Sequence, residues 1–344
     1  MDQPTPASQP RRSAFAKLAI ATTALTLVLI ALGGAVRATG SGLACPDWPF
    51  CYGKIIPRQA DIPPETGFTL VNVWLEHSHR LVASVVGLLI AVIFFWALAR
   101  YRDRPGIIWP AVVAAVAVNV QAALGAFVVL RLLLAELVTA HLGMAMIVIA
   151  SLLLLTVNAV RGPMAARGSR RLGFAHLSAA VAALAYVQIL VGGHVTGVVA
   201  GLVYGRNPLL FDGAVLPTIT TARQGWHVAH RVLAYALAVA VVVLCAQAVR
   251  HRRERVARGQ WSGADLWLVR LPMWAATLVV VQVALGFANL ILGTPTHVVI
   301  AHLTVASWIW TVLVLHTVLA YRLAPPAEAG VTAQAGVPRD RVPA

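Results

Sequence analysis

The chain has 344 residues, of which 59% are hydrophobic and 11% are charged. A soluble globular domain is about 45–50% apolar and about 25% charged, so this sequence has too few charges to cover a water-facing surface. This excludes a soluble enzyme, a disordered protein and a secreted disulfide scaffold. The formal charge of +15 comes without a basic patch interleaved with aromatic residues, which argues against a nucleic-acid partner. Three cysteines are too few for a cysteine-based zinc or iron–sulfur site.

Eight apolar segments are long enough to cross a bilayer, which takes about 20 helical residues. They are predicted at 15–36, 79–99, 107–130, 135–160, 172–197, 228–249, 271–293 and 297–321. The sequence therefore predicts an all-α polytopic membrane protein with eight transmembrane helices.

Lys and Arg residues are distributed unequally between the connecting segments. With the N-terminus inside, most of them fall on the cytoplasmic side, including the Arg-rich segment 250–270, whereas the acidic residues divide equally. The positive-inside rule then places both termini in the cytoplasm. Residues 1–14 and 322–344 are predicted to be cytoplasmic tails, and the composition of the second is typical of disorder.

The second half of the chain repeats the first, which indicates a duplicated unit. The matching motifs are, in chain order, Leu32-Gly33-Gly34 with Val191-Gly192-Gly193, Glu76-x-x-His79-Arg80 with His227-x-x-His230-Arg231, Gln121-x-x-Leu124-Gly125 with Gln282-x-x-Leu285-Gly286, and His141 with His302. We therefore predict two tandem four-helix bundles, an N-terminal half at 15–171 with a large outer loop at 37–78, and a C-terminal half at 172–321. Each unit crosses the membrane an even number of times, so a pseudo-two-fold axis along the membrane normal relates the two.

Four histidines keep their positions when the halves are superposed, His79 with His230 and His141 with His302. Each is predicted in the first two turns of an even-numbered helix, toward the outer face. Ionisable side chains within a membrane are costly and usually face a bundle interior or a partner. Two facing imidazoles in a four-helix bundle are suited to bind a haem iron from both sides. A lone histidine would more often bond a neighbouring helix, but repetition of the pair favours ligation.

Glu76 has no acidic counterpart in the second half, where His227 occupies the matching position. It lies three residues before His79, so both side chains share one face of a helix. A carboxylate beside only one of two copies of a site predicts proton-transfer chemistry at that copy and electron transfer at the other. An ion pair with Arg80 at a helix N-terminus is the structural alternative.

Two further pairs of residues are candidates for roles near these sites. Arg80 and Arg231 each follow a candidate ligand, where they could contact haem propionates or reach the membrane interface. Cys45 and Cys51 flank a turn-rich stretch of the first outer loop. On the oxidising side of the membrane they could form a structural disulfide or act as a redox-active dithiol.

Together these residues resemble heme A synthases, over about residues 15–321 of the chain. The segment from Thr39 through Cys45-Pro-Asp-Trp-Pro-Phe-Cys51 is similar to the cysteine-containing bacterial branch of that family. Some members of the branch have a second cysteine pair between helices five and six. Here the corresponding loop, 198–226, contains none.

The resemblance implies that a ring methyl of heme O is oxidised to a formyl group by two hydroxylations, giving a gem-diol that loses water to form heme A. It implies a haem b in the C-terminal half that relays electrons, and a substrate haem in the N-terminal half. The implied residue roles are His79 and His141 as ligands of the substrate haem, His230 and His302 as ligands of haem b, Glu76 as the acid or base, and Cys45–Cys51 as a disulfide.

The same resemblance implies a location in a bacterial plasma membrane, in contact with lipid. The implied protein partners are heme O synthase and assembly factors of terminal oxidases, and a homo-oligomer is compatible with the resemblance. One alternative is a quinone-linked diheme b-type electron-transfer subunit, which explains the four histidines but gives Glu76 no role. A transporter with parallel repeats is disfavoured, because its polar groups would lie near the membrane midplane.

Overall fold

The computed structural model describes residues 13–47, 50–162 and 173–323, so most of each predicted tail lies outside the described residues. Eight long helices account for most of this part of the chain, and all eight are long and apolar enough to cross a membrane. They are α1 Ala14–Ala38, α2 Leu70–Arg100, α3 Pro105–Leu130, α4 Ala135–Arg161, α5 Gly173–Gly197, α6 Ala222–Ala257, α7 Trp267–Leu292 and α8 Thr296–Arg322. The described residues form no β-strand beyond two isolated bridges. The prediction of an all-α polytopic membrane protein is confirmed.

Two helices begin earlier than the hydrophobicity pattern predicts. Helix α2 begins at Leu70 instead of 79, and α6 begins at Ala222 instead of 228. Each start is a capping box, in which Thr69 or Thr221 accepts a hydrogen bond from the main chain three residues on and the side chain there bonds back. The first turns of both helices contain polar residues, so hydrophobicity alone does not identify them as part of a transmembrane helix.

The earlier starts correct two predictions. The loop predicted at 37–78 is confined to 39–69, so Glu76 lies on α2 with His79, as their shared helix face predicted. His79 and His230 lie in the third turn of their helices instead of the first two, whereas His141 and His302 lie in the second turn as predicted.

The helices contact one another in two sets joined by a seam. Neighbours in sequence pack together within α1–α4 and within α5–α8, and each set is closed by a contact between its first and last helices. The seam is formed by α4 with α5, α1 with α8 and α4 with α8. Small residues bring α4 and α5 close, since a Cβ on Gly197 would lie 2.8 Å from Ala135 Cβ. Trp310 Nε1 also donates to the Met146 carbonyl across the seam, at 3.1 Å. The pseudo-two-fold axis and the orientation in the membrane stay predictions.

The loops on the α1–α2 side of the protein also match between the two halves. An antiparallel bridge joins Cys51 with Lys54 in the first loop and Phe211 with Ala214 in the second. The two central residues of each turn have positive φ, 54° and 67° in the first and 53° and 83° in the second. The correspondence noted in the helices therefore extends to backbone conformation in loops whose sequences differ.

Candidate functional site: two histidine pairs

The four repeated histidines form two pairs near these loops. His79 on α2 interacts electrostatically with His141 on α4. His230 on α6 has the same relation to His302 on α8. All four side chains are partly buried. Each set of four helices therefore brings together the two histidines that the repeat singles out.

Each histidine ring rests on a glycine of the preceding odd-numbered helix. A Cβ on Gly33 would lie 3.0 Å from His79 Nε2, one on Gly125 would lie 3.0 Å from His141 Cε1, and the corresponding distances are 2.8 Å for Gly192 with His230 and 3.4 Å for Gly286 with His302. In the sequence these glycines serve only as markers of the repeat. The structure shows that they admit the imidazole itself against the neighbouring backbone. The sequence contained an indication of this contact, because Gly33 and Gly192 occupy equivalent positions in the repeat.

Glutamines one turn before the glycines also approach the rings. Gln121 Nε2 lies 3.2 Å from His141 Nε2. Gln188 Nε2 lies 3.1 Å from His230 Nδ1. The main-chain carbonyls of Gln121 and Gln282 face the rings of His141 and His302.

Several polar atoms around the two pairs are buried without a hydrogen-bond partner among the described residues. They are Gln121 Oε1, His141 Nδ1, Gln188 Oε1, Gln282 Oε1, His302 Nδ1 and Arg231 Nε. Buried polar groups are normally paired, and such a concentration of unpaired ones needs an explanation. Iron-bound imidazole donates its second N–H to an amide or carbonyl oxygen, and the unpaired glutamine oxygens are suited to accept it. The residues present therefore fit a haem between the histidines of each pair.

Glu76 is 3% exposed and is held by two groups. One carboxylate oxygen accepts a hydrogen bond from the Cys45 N–H at 2.8 Å. The other forms an ion pair with Arg80, four residues later on α2. The structural alternative considered from sequence, the pairing with Arg80, is therefore present. The same ion pair holds the Glu76 carboxylate on the helix that carries His79, three residues away. In the second half the position equivalent to Glu76 is occupied by His227, which bonds the Ala200 carbonyl at 2.8 Å.

The two arginines organise the loops above the histidines. Arg80 donates to the main-chain carbonyls of Cys45, Asp47 and Phe50. Arg231 approaches three carbonyls of the α5–α6 loop, between Asn207 and Leu210, and its guanidinium lies 4.6 Å from the centre of the Phe211 ring. Most of their donors are thus used by the protein, although Arg231 Nε remains unpaired.

The disulfide Cys45–Cys51 is formed. In the second half the rings of Tyr204 and Phe211, packed edge to face with centroids 5.1 Å apart, occupy the equivalent places. One half therefore braces its loop covalently and the other by aromatic packing. Both sulfur-bearing residues are fully buried.

The remaining described histidines lie away from the two pairs or serve the loops. His77 bonds the Ile55 carbonyl at 2.7 Å, and His316 bonds Ser178 and the Leu268 carbonyl. His194 packs on Trp226, and His251 stacks on Phe174. These histidines thus serve helix packing and loop contacts.

Comparison with known proteins places the chain in a family. The family model described as cytochrome oxidase assembly protein, COX15-CtaA, matches residues 16–314. A heme A synthase of Methylobacterium radiotolerans is 30% identical, over 89% of this chain and 90% of the relative. That of Paracoccus denitrificans is 31% identical over 81% and 80%, and that of Shouchella clausii is 29% identical over 89% and 97%. With its paired histidines on eight duplicated helices, the chain belongs to the COX15-CtaA family of cytochrome oxidase assembly proteins.

Proposed function

We propose that this membrane protein is a heme A synthase, which oxidises a ring methyl of heme O to the formyl group of heme A. The observation that carries the proposal is an asymmetry between two otherwise matching sites. Both halves hold a histidine pair in a glycine cradle, but only the N-terminal pair has a buried carboxylate, Glu76, on the same helix. The names of the relatives support the same activity.

In the N-terminal half, His79 and His141 bind the iron of the substrate porphyrin. With water as the oxygen source, conversion of a methyl to a formyl group consumes one water and releases four protons and four electrons, and the electrons pass one at a time to an external acceptor. Glu76 accepts and returns protons beside the reacting methyl. Its link to the Cys45 N–H and to Arg80 holds the carboxylate in place in a water-poor site.

In the C-terminal half, His230 and His302 hold haem b, which supplies one-electron transfer when bound. The position equivalent to Glu76 is His227, whose ring is committed to the Ala200 carbonyl. The C-terminal site therefore has no carboxylate at the position equivalent to Glu76, which agrees with a role in electron transfer alone. Arg231, with its unpaired Nε, and Arg80 lie next to the ligands, where they can contact propionates.

The proposal extends to the cellular setting. Both termini lie in the cytoplasm of a bacterial plasma membrane, and the histidine pairs lie toward the outer face. The substrate heme O is delivered by heme O synthase, and the product passes to assembly factors of terminal oxidases. The alternative, a diheme b-type electron-transfer subunit linked to quinone, gains no support from the three relatives described above.

Extraction of the bound haems tests the function directly. The protein is purified from cells that make heme O, its haems are released in acid acetone, and they are identified by chromatography and mass. Haem b together with heme O, a hydroxylated intermediate or heme A is the expected result. Haem b alone, despite available heme O, would favour the electron-transfer subunit, and a folded protein without haem would refute the histidine assignment.

A further inference from the structure

Each of the four histidine rings lies against a glycine, and the residue four positions before that glycine is the same at three of the sites and different at the fourth. Three of these positions hold glutamine, and the fourth holds leucine: Gln121, Gln188, Gln282 and Leu29. The glycines themselves are present at all four. Leu29 is equivalent to Gln188 in the repeat, so the histidine that lacks a glutamine is His79.

The absence of this glutamine leaves the His79 ring without a polar restraint. Among the described residues no hydrogen bond reaches either nitrogen of His79. The side chains of Gln121 and Gln188 contact His141 and His230 at 3.2 and 3.1 Å. The Gln282 side chain makes no hydrogen bond with His302, but its main-chain carbonyl faces that ring. Leu29 instead packs in an apolar cluster with Val86 and its neighbours.

The orientation of the ring differs as well. His141, His230 and His302 each turn Cε1 toward their glycine, whereas His79 turns Nε2 toward Gly33. A half-turn about the Cβ–Cγ bond exchanges these two positions. At His79 that turn breaks no hydrogen bond, so the ring can present either edge to the space it shares with His141.

A second hydrogen bond to an iron-bound imidazole fixes its orientation and strengthens it as a ligand, and its removal typically costs 10–100-fold in metal affinity. The cofactor half, which must retain its haem, has a glutamine at both histidines. The substrate half, which must admit one haem and release another, has a glutamine at only one. The difference follows the functional requirement of each half.

We infer that Leu29 makes His79 the weakly held ligand of the substrate porphyrin, with His141 as the anchor. Substrate and product then exchange on the side of the porphyrin that faces His79 and Glu76. Leu29 acts as a positioning residue through His79. The inference rests on the proposed function, because it takes the four histidines to be haem ligands.

Haem capture by apomyoglobin measures the predicted difference. Purified protein carrying its haems is mixed with excess apomyoglobin, and the loss of each haem is followed by its absorption. The His79→Ala and His230→Ala variants assign the phases to the two halves. Leu29→Gln should slow the phase of the N-terminal half by about tenfold, and Gln121→Leu should accelerate it by a similar factor. Leu29→Met, which keeps an apolar side chain of similar volume, should leave the rate unchanged.

The low-spin electron paramagnetic resonance signal provides a second readout that fold stability does not move. Leu29→Gln should narrow the N-terminal signal, because the imidazole plane is held in one orientation, and leave the C-terminal signal unaltered. If Leu29→Gln does not assemble, Gln188→Leu decides, and it should accelerate capture from the C-terminal half by about tenfold.

Two kinds of failure are distinguishable. Two bound haems with capture rates that do not respond to Leu29→Gln, or to Gln188→Leu where that variant decides, would overturn the inference and leave the histidine assignment intact. Haem content that survives both His79→Ala and His141→Ala would refute the proposed substrate site itself, and the inference with it.

Discussion

At the residue scale, the position of Glu76 depends on a loop residue far from it in sequence and on an arginine one helical turn away. The Cys45 N–H and the Arg80 guanidinium each bind one of its carboxylate oxygens. Arg80 in turn binds carbonyls of the same loop that contains the disulfide. The loop, the arginine and the carboxylate are therefore one hydrogen-bonded unit beside His79, and a change at any member is expected to move the carboxylate.

Replacement of Glu76 by glutamine separates its proton chemistry from its structural role. Glutamine keeps an oxygen that can accept from the Cys45 N–H but cannot take up a proton at working pH. We expect both haems to be retained and formyl formation to fall by about a hundredfold or more, the usual contribution of a general acid or base. Chromatography of extracted haems gives the product yield, and the pyridine haemochrome spectrum gives the haem content.

The matched control for this prediction is Glu65→Gln, which removes an exposed carboxylate of the same outer loop. It should leave the heme A yield unchanged. A normal yield in Glu76→Gln would remove the catalytic assignment of Glu76 and leave only its structural pairing.

At the scale of elements, pairs of helices meet through a histidine and a glycine. The ring of each histidine occupies the place that a side chain on the facing helix would otherwise fill. The approach is closest at Gly192, where a Cβ would lie 2.8 Å from His230 Cε1, and is near ordinary contact at Gly286, where the distance is 3.4 Å. The four contacts should therefore tolerate substitution unequally.

Gly192→Ala is predicted to weaken the C-terminal haem site more than Gly286→Ala. The new methyl must displace the His230 ring or separate α5 from α6, and overpacking of this kind costs about 1–3 kcal/mol. Haem b content per purified protein and its thermal retention report the effect. Gly87→Ala on α2 is the control, because a Cβ there meets nothing within 4 Å. Equal losses in the variants of Gly192 and Gly286 would contradict the ranking.

At the scale of the whole molecule, the two halves share one arrangement of helices, and we propose that they perform two different tasks. The helices, the glycine contacts and the turn conformations of the loops correspond between the halves. The positions that differ beside the two histidine pairs include Glu76 against His227, the disulfide against Tyr204 with Phe211, and Leu29 against Gln188.

The orientation in the membrane is tested by labelling single cysteines in a Cys245→Ala background. Leu216, which is 81% exposed in the α5–α6 loop, and Gln260, which is exposed after α6, are replaced by cysteine in turn. An impermeant maleimide should label Leu216→Cys in intact cells and Gln260→Cys only after permeabilisation, because the Arg-rich segment stays inside. The reverse pattern would invert the proposed topology.

The sequence by itself determined the fold class, the number of helices and the four repeated histidines. These follow from apolar length and from motif spacing, which are local properties that do not depend on how the chain packs. The same information did not locate the starts of α2 and α6, because Thr69 and Thr221 begin those helices with polar residues that resemble a loop.

Only the tertiary structure decided what the repeated residues contact. It brought each histidine onto a glycine of another helix, and it committed Arg80 and Arg231 to loop carbonyls. It also tied Glu76 to the main chain of Cys45, across 31 residues of sequence. Such contacts depend on helix separation and on the path of the loops, which spacing in one sequence does not specify. For the same reason, the significance of Leu29 became clear only from the contacts of Gln121 with His141 and of Gln188 with His230.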